Sequence, residues 1–299
     1  MPELPEVETI RLGLDPHVRG RRIAAARVLR DRAVRRQPGG APEFGRRLVG
    51  RTITGTGRRG KFLWLSLDDG SALLIHLGMS GQLIVPGPDT PQSPHVRAVL
   101  ELDGGSEHGG EHAEEHADGL TLQFRDQRTF GWVWACDADG GGVPAPAAHI
   151  ARDLMDPAVD PVELAHSIRR RTSGIKRVLL NQEVVSGIGN IYADEMLWAA
   201  RVHGETPADE LSVRTLAKLL RAGREVMGRA ISVGGTSFDS LYVNVNGESG
   251  YFARDLEAYG REGEPCSRCG APIVRSTFMN RSSYHCPRCQ KLARIRKAP

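Results

Sequence analysis

The chain has 299 residues, 40% hydrophobic content and a formal net charge of +4. This length and apolar content suit two domains, or one domain with appendages, and exclude a chain that is disordered throughout. No apolar run reaches the ~20 residues that a membrane span requires, and the acidic start lacks the basic and then apolar order of a signal peptide. We therefore expect a cytosolic protein with no membrane contact.

Positive charge is concentrated at the C-terminal end. Residues 263–299 contain eight Lys or Arg and a single acid, Glu264. Such a segment is either a contact for nucleic acid or an ordinary solvated surface. The whole chain has only five lysines among its 40 basic residues, so Lys61 and Lys176 indicate positions that need a compact point charge or a titratable amine.

The N-terminus supplies a candidate nucleophile. An initiator methionine before proline is normally trimmed, which would make Pro2 the α-amino terminus. A free α-amine titrates near pH ~7.7–8, so at neutral pH it can condense with an aldehyde-level carbon. The alternative is an ordinary helix start, with proline in the first turn and acids at the positive end of the helix. Those acids are Glu3, Glu6 and Glu8.

The first half of the chain predicts a β-rich sandwich with a helix packed on it. Val7, Ile10 and Leu14 recur at helical spacing. Two apolar segments, 61–67 and 72–76, flank an Asp-Gly turn and predict a hairpin. Further strands are expected at 96–102, 120–124 and 131–135. The sequence therefore predicts an N-terminal helix followed by an antiparallel sandwich.

A Gly, Glu and His stretch, residues 103–118, separates two of these strands. His108, His112 and His116 repeat every four residues, which allows a helical metal site. The glycines of the stretch oppose a stable helix, and we therefore favour a flexible hairpin tip.

The second half predicts helices. A Gly, Ala and Pro-rich linker begins at Asp139, and Asp160 before Pro161 is a strong helix start. Helices are expected at about 161–170, 174–182, 190–201 and 212–231. The predicted division is 1–138 for the sandwich, 139–160 for the linker, 161–262 for the helical domain and 263–299 for a C-terminal module.

Between two of these helices lies Val185-Ser186-Gly187-Ile188-Gly189-Asn190-Ile191-Tyr192. Its glycines allow close approach of backbone to another molecule, and Asn190 can cap the next helix. A helix N-terminus with free amide groups fits a DNA phosphate. The alternative is a plain turn between helices with a capping Asn.

Four cysteines form the most specific motif. Cys266-x-x-Cys269 and Cys286-x-x-Cys289, with sixteen residues between them, have the spacing of a two-knuckle zinc site. Four thiolates leave no open coordination position, so one structural Zn²⁺ is expected; two disulfides are the alternative. Arg281 lies in a plausible hairpin turn between the knuckles. Cys136 stands apart as a structural thiol.

Two short segments carry candidate DNA-wedge residues. Met79 lies between two glycines after a strand, and Arg128 and Phe130 are two residues apart, which in a strand would put them on one face. Core packing explains the two apolar residues separately. In a DNA-binding protein, the three together could enter a duplex and fill the gap that a flipped nucleotide leaves.

The combination resembles the formamidopyrimidine-DNA glycosylase family over nearly the whole chain. The matching blocks are Pro2 to Glu8, Gly60-Lys61-Phe62, His76 to Gly81, Arg128 with Phe130, Gly187 to Tyr192, Gly234-Gly235-Thr236, and the cysteines with Arg281. The resemblance implies an α+β multidomain fold: an N-terminal β-sandwich with an N-terminal helix, a helix-two-turns-helix domain and a C-terminal zinc-ribbon hairpin, with DNA in the cleft between them.

The resemblance also implies roles in excising oxidised purines. Pro2 would attack the sugar C1′ and form a Schiff base, with Glu3 as general acid and base. Lys61 would contact phosphates and donate a proton in β-elimination, and Arg281 would act in δ-elimination. Gly234 to Tyr251 would cover the everted base. The implied DNA-contacting or supporting residues are Glu6, Met79, His95, Arg128, Phe130, Arg171, Lys176 and Asn190.

The chain departs from the family pattern at Gln127, at Thr129, in the 103–118 stretch and in a basic tail after Cys289. These departures put local DNA contacts in doubt. Two other readings stay open: an endonuclease-VIII-like enzyme for oxidised pyrimidines, and a catalytically silent DNA-damage-binding protein. We expect a monomeric, nucleoid-associated bifunctional glycosylase and lyase that acts on duplex DNA with oxidised bases and needs no diffusible cofactor.

Overall fold

A computed structural model of the chain describes residues 2–88, 90–104, 119–235 and 255–292. The chain forms two compact units. Unit 1 comprises Met1–His149 with Val233–Tyr251, and unit 2 comprises Ile150–Ser232 with Phe252–Pro299. Within the described ranges, none of the helices combines the length and apolar character that crossing a bilayer requires.

Unit 1 is a sandwich of two four-stranded antiparallel sheets, ordered β1-β6-β7-β5 and β2-β3-β4-β8. The inward side chains of both sheets share one apolar core with the buried face of helix α1, including Val7, Ile10 and Leu14. The elements are α1 Leu4–Val18, β1 Ile23–Val28, α2 Gly40–Leu48, β2 Ile53–Arg59, β3 Phe62–Leu67, β4 Ser71–His76, β5 Gly81–Ile84, β6 Val96–Leu102, β7 Leu120–Asp126 and β8 Trp132–Asp137.

In its described residues, unit 2 consists of four α-helices and a two-stranded hairpin. Helix α6 packs on α3 and α5, and α5 also contacts strand β10. The side chain of Asp160 starts α3 by accepting the backbone N–H groups of Val162 and Glu163. The elements are α3 Pro161–Arg169, α4 Ile175–Leu179, α5 Asn190–Ala200, α6 Val213–Ser232, β9 Val274–Phe278 and β10 Arg281–His285.

The predicted fold class is confirmed, with a helix-bearing β-sandwich, a helical region and a C-terminal hairpin. The sequence missed β1, β2, β5 and α2, and α4 ends at Leu179, earlier than predicted. The His-bearing residues 105–118, most of the predicted lesion-covering segment (236–251), residues 252–254 and the last seven residues lie outside the described ranges. The three predicted boundaries between the four segments stay a prediction.

Candidate active site

The start of α1 buries the candidate nucleophile and its carboxylate neighbours. Pro2 is buried immediately before the helix, and Glu3 and Glu6 are only 3% and 6% exposed. The two glutamates form a reciprocal capping box, in which the Glu3 backbone N–H donates to Glu6 Oε2 at 2.9 Å. The Glu6 side chain therefore fixes the backbone next to Pro2.

Gly235 approaches the same glutamate. Its φ of +83° favours glycine, and an added Cβ there would lie 3.3 Å from both Cγ and Oε1 of Glu6. The predicted covering segment thus begins close to the carboxylate that holds the N-terminus.

Helix α1 is attached to β2 by a series of polar contacts. Glu8 accepts Arg58 Nε at 2.7 Å. Two turns further, Asp15 accepts both the backbone N–H and the hydroxyl of Thr56, at 3.0 and 2.6 Å. Arg19 then donates to the carbonyl of Thr54 at 3.0 Å. From Asp15 to Arg19 the helix advances about 6 Å, and from Thr56 to Thr54 the strand advances about 6–7 Å, so these two neighbouring contacts match in spacing.

Lys61 lies in the two-residue turn between β2 and β3. Arg59 pairs with Phe62 across this turn, and Gly60 takes a φ of +57°. Arg58 Nη1 donates to the Gly60 carbonyl at 3.1 Å. The guanidinium that bonds Glu8 on α1 therefore also holds the turn that carries Lys61.

The candidate wedge residues are held by one carboxylate. Asp126, 1% exposed, accepts Ser80 Oγ at 2.5 Å with one oxygen and the Gly131 N–H at 2.7 Å with the other. Ser80 Oγ in turn accepts the Arg128 N–H at 2.9 Å. The turn that carries Met79 and the loop that carries Arg128 are therefore fastened together.

Arg128 and Phe130 meet, although not in the predicted way. Residues 127–131 are a loop and not a strand, because β7 ends at Asp126 and Thr129 has a φ of +55°. Arg128 Cζ nevertheless lies 5.3 Å from the centroid of the Phe130 ring, which is 46% exposed. Arg35 supports this loop by donating hydrogen bonds to the carbonyls of Phe130 and Gly131 at 2.7 and 2.6 Å.

Two histidines border this region. The His95 carbonyl accepts the Asp126 N–H at 2.8 Å, which joins the turn before β6 to the wedge loop. His76 Nδ1 accepts the Gly78 N–H at 3.2 Å, and its ring stacks on Trp132. Burial, together with the positive charge of Lys61 and neighbouring arginines, lowers the pKa of His76 to about 4. His76 is therefore neutral at physiological pH.

In unit 2, Lys176 is completely buried. Its ammonium donates to Asp194 Oδ1 at 2.6 Å and to Ser283 Oγ at 2.8 Å, and it lies 4.9 Å from the Phe278 ring centroid. Asp194 also accepts the Tyr284 N–H at 2.9 Å. In this arrangement the lysine ties α4 and α5 to the hairpin; its predicted phosphate contact stays a prediction.

Asn190 also contacts the hairpin, since its Nδ2 donates to the Ser282 carbonyl at 2.7 Å. The prediction that Asn190 caps helix α5 is wrong. Gly189, with extended backbone, occupies the N-cap position, and Asn190 is the first helical residue. A phosphate contact through Asn190 Nδ2 would have to replace or share its bond to Ser282.

Arg281 and Arg171 are both exposed. Arg281 opens β10 directly after a two-residue turn in which Met279 and Asn280 have positive φ angles, as a tight hairpin requires. Arg171 lines a cavity of about 330 Å³ together with Ser173, Arg177 and other residues. Both guanidiniums are accessible to an anionic ligand.

The four cysteines form the predicted metal centre. The Sγ atoms of Cys266, Cys269, Cys286 and Cys289 all lie within 4.8 Å of one another. Tetrahedral Zn²⁺ with Zn–S bonds of about 2.3 Å separates its sulfurs by roughly 3.8 Å, so this set fits the ion. Trp198 Nε1 donates to Cys266 Sγ at 3.4 Å. Cys136 is buried elsewhere, and burial raises the pKa of its thiol to about 12.

Several residues that build the site were missed from the sequence. They are Arg58, Asp126, Asp194 and Glu195; the last accepts the backbone N–H groups of Glu257, Ala258 and Tyr259 at 2.8–2.9 Å. Glu8 was noted only as an acid at the helix start, without its bond to Arg58. The sequence offered one signal for these residues, namely an acid close to a motif residue, such as Asp126 two positions before Arg128. Its partners, however, are distant in sequence.

Three family models match the chain in order: the formamidopyrimidine-DNA glycosylase N-terminal domain at residues 1–133, the H2TH domain of the same enzyme at 150–241, and a zinc finger found in FPG and IleRS at 263–292. The formamidopyrimidine-DNA glycosylases of Nocardioides sp. and Mycolicibacterium gilvum are 55% and 56% identical to it. These alignments cover 100% and 99% of this chain, and 97% and 100% of the relatives.

Solved structures of formamidopyrimidine-DNA glycosylases are also similar to the chain over nearly its whole length. MutM (Fpg) from Thermus thermophilus is 33% identical with a TM-score of 0.80, and covers 98% of this chain and 100% of its own. A Lactococcus lactis Fpg variant, solved with DNA that contains Fapy-dG, is 31% identical with a TM-score of 0.81, and covers 97% and 100%. With these similarities over its whole length, the chain belongs to the formamidopyrimidine-DNA glycosylase family.

Proposed function

We propose that the protein is a bifunctional DNA glycosylase and abasic-site lyase of base excision repair that removes 8-oxoguanine and formamidopyrimidines from duplex DNA. The observation that carries the proposal is the buried Pro2-Glu3 pair at the start of α1. Support also comes from relatives named formamidopyrimidine-DNA glycosylase and from neighbours solved with DNA containing Fapy-dG or carbocyclic 8-oxo-G.

The first step uses Pro2 as the nucleophile. Once Met1 is removed, the unprotonated secondary amine attacks C1′ of the damaged nucleotide, and the bond from C1′ to the base nitrogen breaks with its electron pair leaving on the base. The base takes up a proton, and the Pro2 nitrogen loses the proton that it carried. Glu3 donates a proton to the sugar ring oxygen as the ring opens, which gives an iminium ion. The capping box supports this step because it fixes the Pro2-Glu3 backbone.

The second step cleaves the strand. Loss of a 2′ proton from the iminium lets the 3′ carbon–oxygen bond break, which releases the 3′ phosphate by β-elimination. Lys61 contacts phosphates and supplies a proton in this step. Arg281 acts in the following δ-elimination, which breaks the 5′ carbon–oxygen bond. Hydrolysis of the Schiff base then regenerates the Pro2 amine.

The wedge residues occupy the gap that the everted nucleotide leaves in the stack. Met79 and Phe130 supply apolar surface, and Arg128 faces the orphaned cytosine. Their attachment through Asp126 supports this role because an ordered wedge loses little freedom on binding. The phosphate contacts are assigned to His95, Arg171, Lys176 and Asn190, and Glu6 supports the N-terminus.

The zinc is structural, and the enzyme acts as a monomer. Because its substrate is chromosomal DNA, we place it in the cytoplasm with the nucleoid. Phosphate neutralisation by arginines makes binding decline as salt rises.

Borohydride trapping tests the proposal. Purified protein is incubated with duplexes that carry 8-oxoguanine opposite cytosine, or an oxidised pyrimidine, and the reduced adduct is mapped by peptide mass spectrometry. We expect an adduct at Pro2 on the 8-oxoguanine duplex and, under matched binding, none with protein that retains Met1, in which the Pro2 nitrogen is an amide. Preferential trapping on the pyrimidine duplex would assign the protein to the endonuclease-VIII-like class. Tight binding without trapping would indicate a silent damage-binding protein.

A further inference from the structure

Arg58 joins the two parts of unit 1 that carry the proposed chemistry. Its side chain is only 8% exposed and bonds Glu8 Oε2 at 2.7 Å through Nε. Through Nη1 it bonds the carbonyl of Gly60 at 3.1 Å. The first bond reaches the helix that begins at Pro2, and the second reaches the turn that carries Lys61.

Other contacts keep the Glu8 carboxylate oriented and ionised for its bond to Arg58. Arg11 also binds the carboxylate, with Nη2 to Oε1 at 2.7 Å and Nε to Oε2 at 3.0 Å. Burial of Glu8 opposes ionisation, but the hydrogen bonds and charges of Arg11 and Arg58 outweigh it and hold the pKa of Glu8 below its ordinary value. A charged carboxylate therefore faces Arg58 throughout the physiological pH range.

The neighbouring arginine makes no equivalent connection to the turn. Arg11 reaches Thr56 Oγ1 at 3.3 Å, two strand positions before Arg58. Both arginines thus share Glu8, but it is Arg58 that bonds Gly60. The planar guanidinium can hold both acceptors in fixed directions, which a single ammonium cannot do.

We infer that Arg58, oriented by Glu8, is a positioning residue that sets the location of Lys61 for the elimination step. This inference rests on the proposed function, because it takes from there the division of labour between Pro2 and Lys61. It assigns to a residue that touches no reacting atom a selective effect on strand cleavage. The nucleophile is held separately by Glu3 and Glu6 and should be spared.

The test compares full-length R58K with R11K in single-turnover reactions on a preformed abasic site. Borohydride-trapped Schiff base is measured alongside strand cleavage. We expect R58K to slow cleavage about tenfold or more while the rate of trapping changes by less than about twofold, and R11K to resemble the wild type in both. Equal loss of trapping and cleavage in R58K, no loss at all, or equal behaviour of the two variants would overturn the inference.

K61A separates this inference from the proposed function. If K61A cleaves at the wild-type rate, the proposed role of Lys61 is wrong, and the inference falls with it. If K61A is slow and R58K is not, only the inference is wrong. In the K61A background, R58K should add less than about a twofold further loss. Should R58K fail to fold, E8Q provides the second variant, with the same selective loss of cleavage expected.

Discussion

The Asp126 carboxylate and the Ser80 hydroxyl lie 2.5 Å apart, and this contact joins the turn of Met79 to the loop of Arg128. Asp126 also accepts the Gly131 N–H, so both of its oxygens are in use. In D126N, the amide offers only one acceptor oxygen, so either the Gly131 N–H or the Ser80 hydroxyl proton loses its acceptor. We expect a loss of stability of about 1–3 kcal/mol, measurable by urea denaturation.

The same variant should bind lesion DNA more weakly than its lost stability alone explains, because the wedge is no longer ordered before binding. S80A is the matched control, since it removes the Ser80 contacts but leaves the bond from Gly131 to Asp126. We expect D126N to lose more affinity than S80A, measured by fluorescence anisotropy below the unfolding transition. Equal affinities would contradict a role for Asp126 in holding the wedge.

Lys176 and Asp194 form a buried ion pair in which each side chain is 1% exposed. K176M leaves the Asp194 carboxylate without its cation, which should cost about 3–5 kcal/mol of unfolding free energy. Combining K176M with D194N removes the unpaired charge and should recover part of that loss. A double variant that is less stable than K176M would show that the hydrogen bonds of Asp194 outweigh its charge.

His76 makes stability depend on pH. Burial, with the positive charge of Lys61, Arg36 and Arg35, lowers its pKa from 6.5 to about 4 in the folded chain. Between these values the unfolded chain binds a proton that the folded chain does not, so this contribution to stability falls as the pH drops from about 7 to 4. The effect is at most about 3 kcal/mol.

H76N provides the comparison because its amide oxygen can replace Nδ1 as the acceptor for Gly78 but does not titrate. The stability difference between wild type and H76N, from urea titrations at several pH values, should change across pH 4–6.5 in favour of H76N as the pH falls. A difference independent of pH would show that His76 titrates with its ordinary pKa.

Zinc removal should affect the hairpin first. We expect one zinc per chain by elemental analysis, and its release by a thiol reagent with a chelator should weaken binding to duplex DNA. Trp198, which contacts Cys266 through Nε1 and has Arg268 3.9 Å above its ring centroid, should report the loss through its emission. The W198F variant should lack most of this change in tryptophan fluorescence. A change that persists in W198F would come from elsewhere in the chain.

The sequence correctly predicted elements that a local residue pattern specifies. It failed for strands that form mainly because they pair with other strands. The spacing of Val7, Ile10 and Leu14 correctly predicted α1, and the Asp69-Gly70 turn correctly predicted the hairpin of β3 and β4. Strand β2 contains two glycines and two arginines and has little strand propensity; its pairing with β3 and contact with α1 stabilise it.

The residues of the candidate site also divide into those that the sequence predicted and those that it did not. The four cysteines follow a fixed spacing, and the structure brings them together. The bonds that orient the other groups join residues far apart in the chain, such as Glu8 with Arg58 and Lys176 with Asp194. A local sequence pattern cannot identify a bonding partner that is distant in the chain. The left-handed backbone of Thr129 could not be predicted either, because tertiary contacts impose it.

The attachment of α1 to β2 at Glu8, Asp15 and Arg19 limits how the N-terminal segment can vary in length. Each residue turns a helix by about 100°, so inserting or deleting one residue between Pro2 and Glu8 would rotate the nucleophile away from its place while the contacts from Glu8 to Arg19 stayed bound to β2. Substitutions in this segment can be absorbed one side chain at a time. A change of length cannot, and we therefore expect the proposed chemistry to depend on the spacing from Pro2 to Glu8 as well as on the identity of these residues.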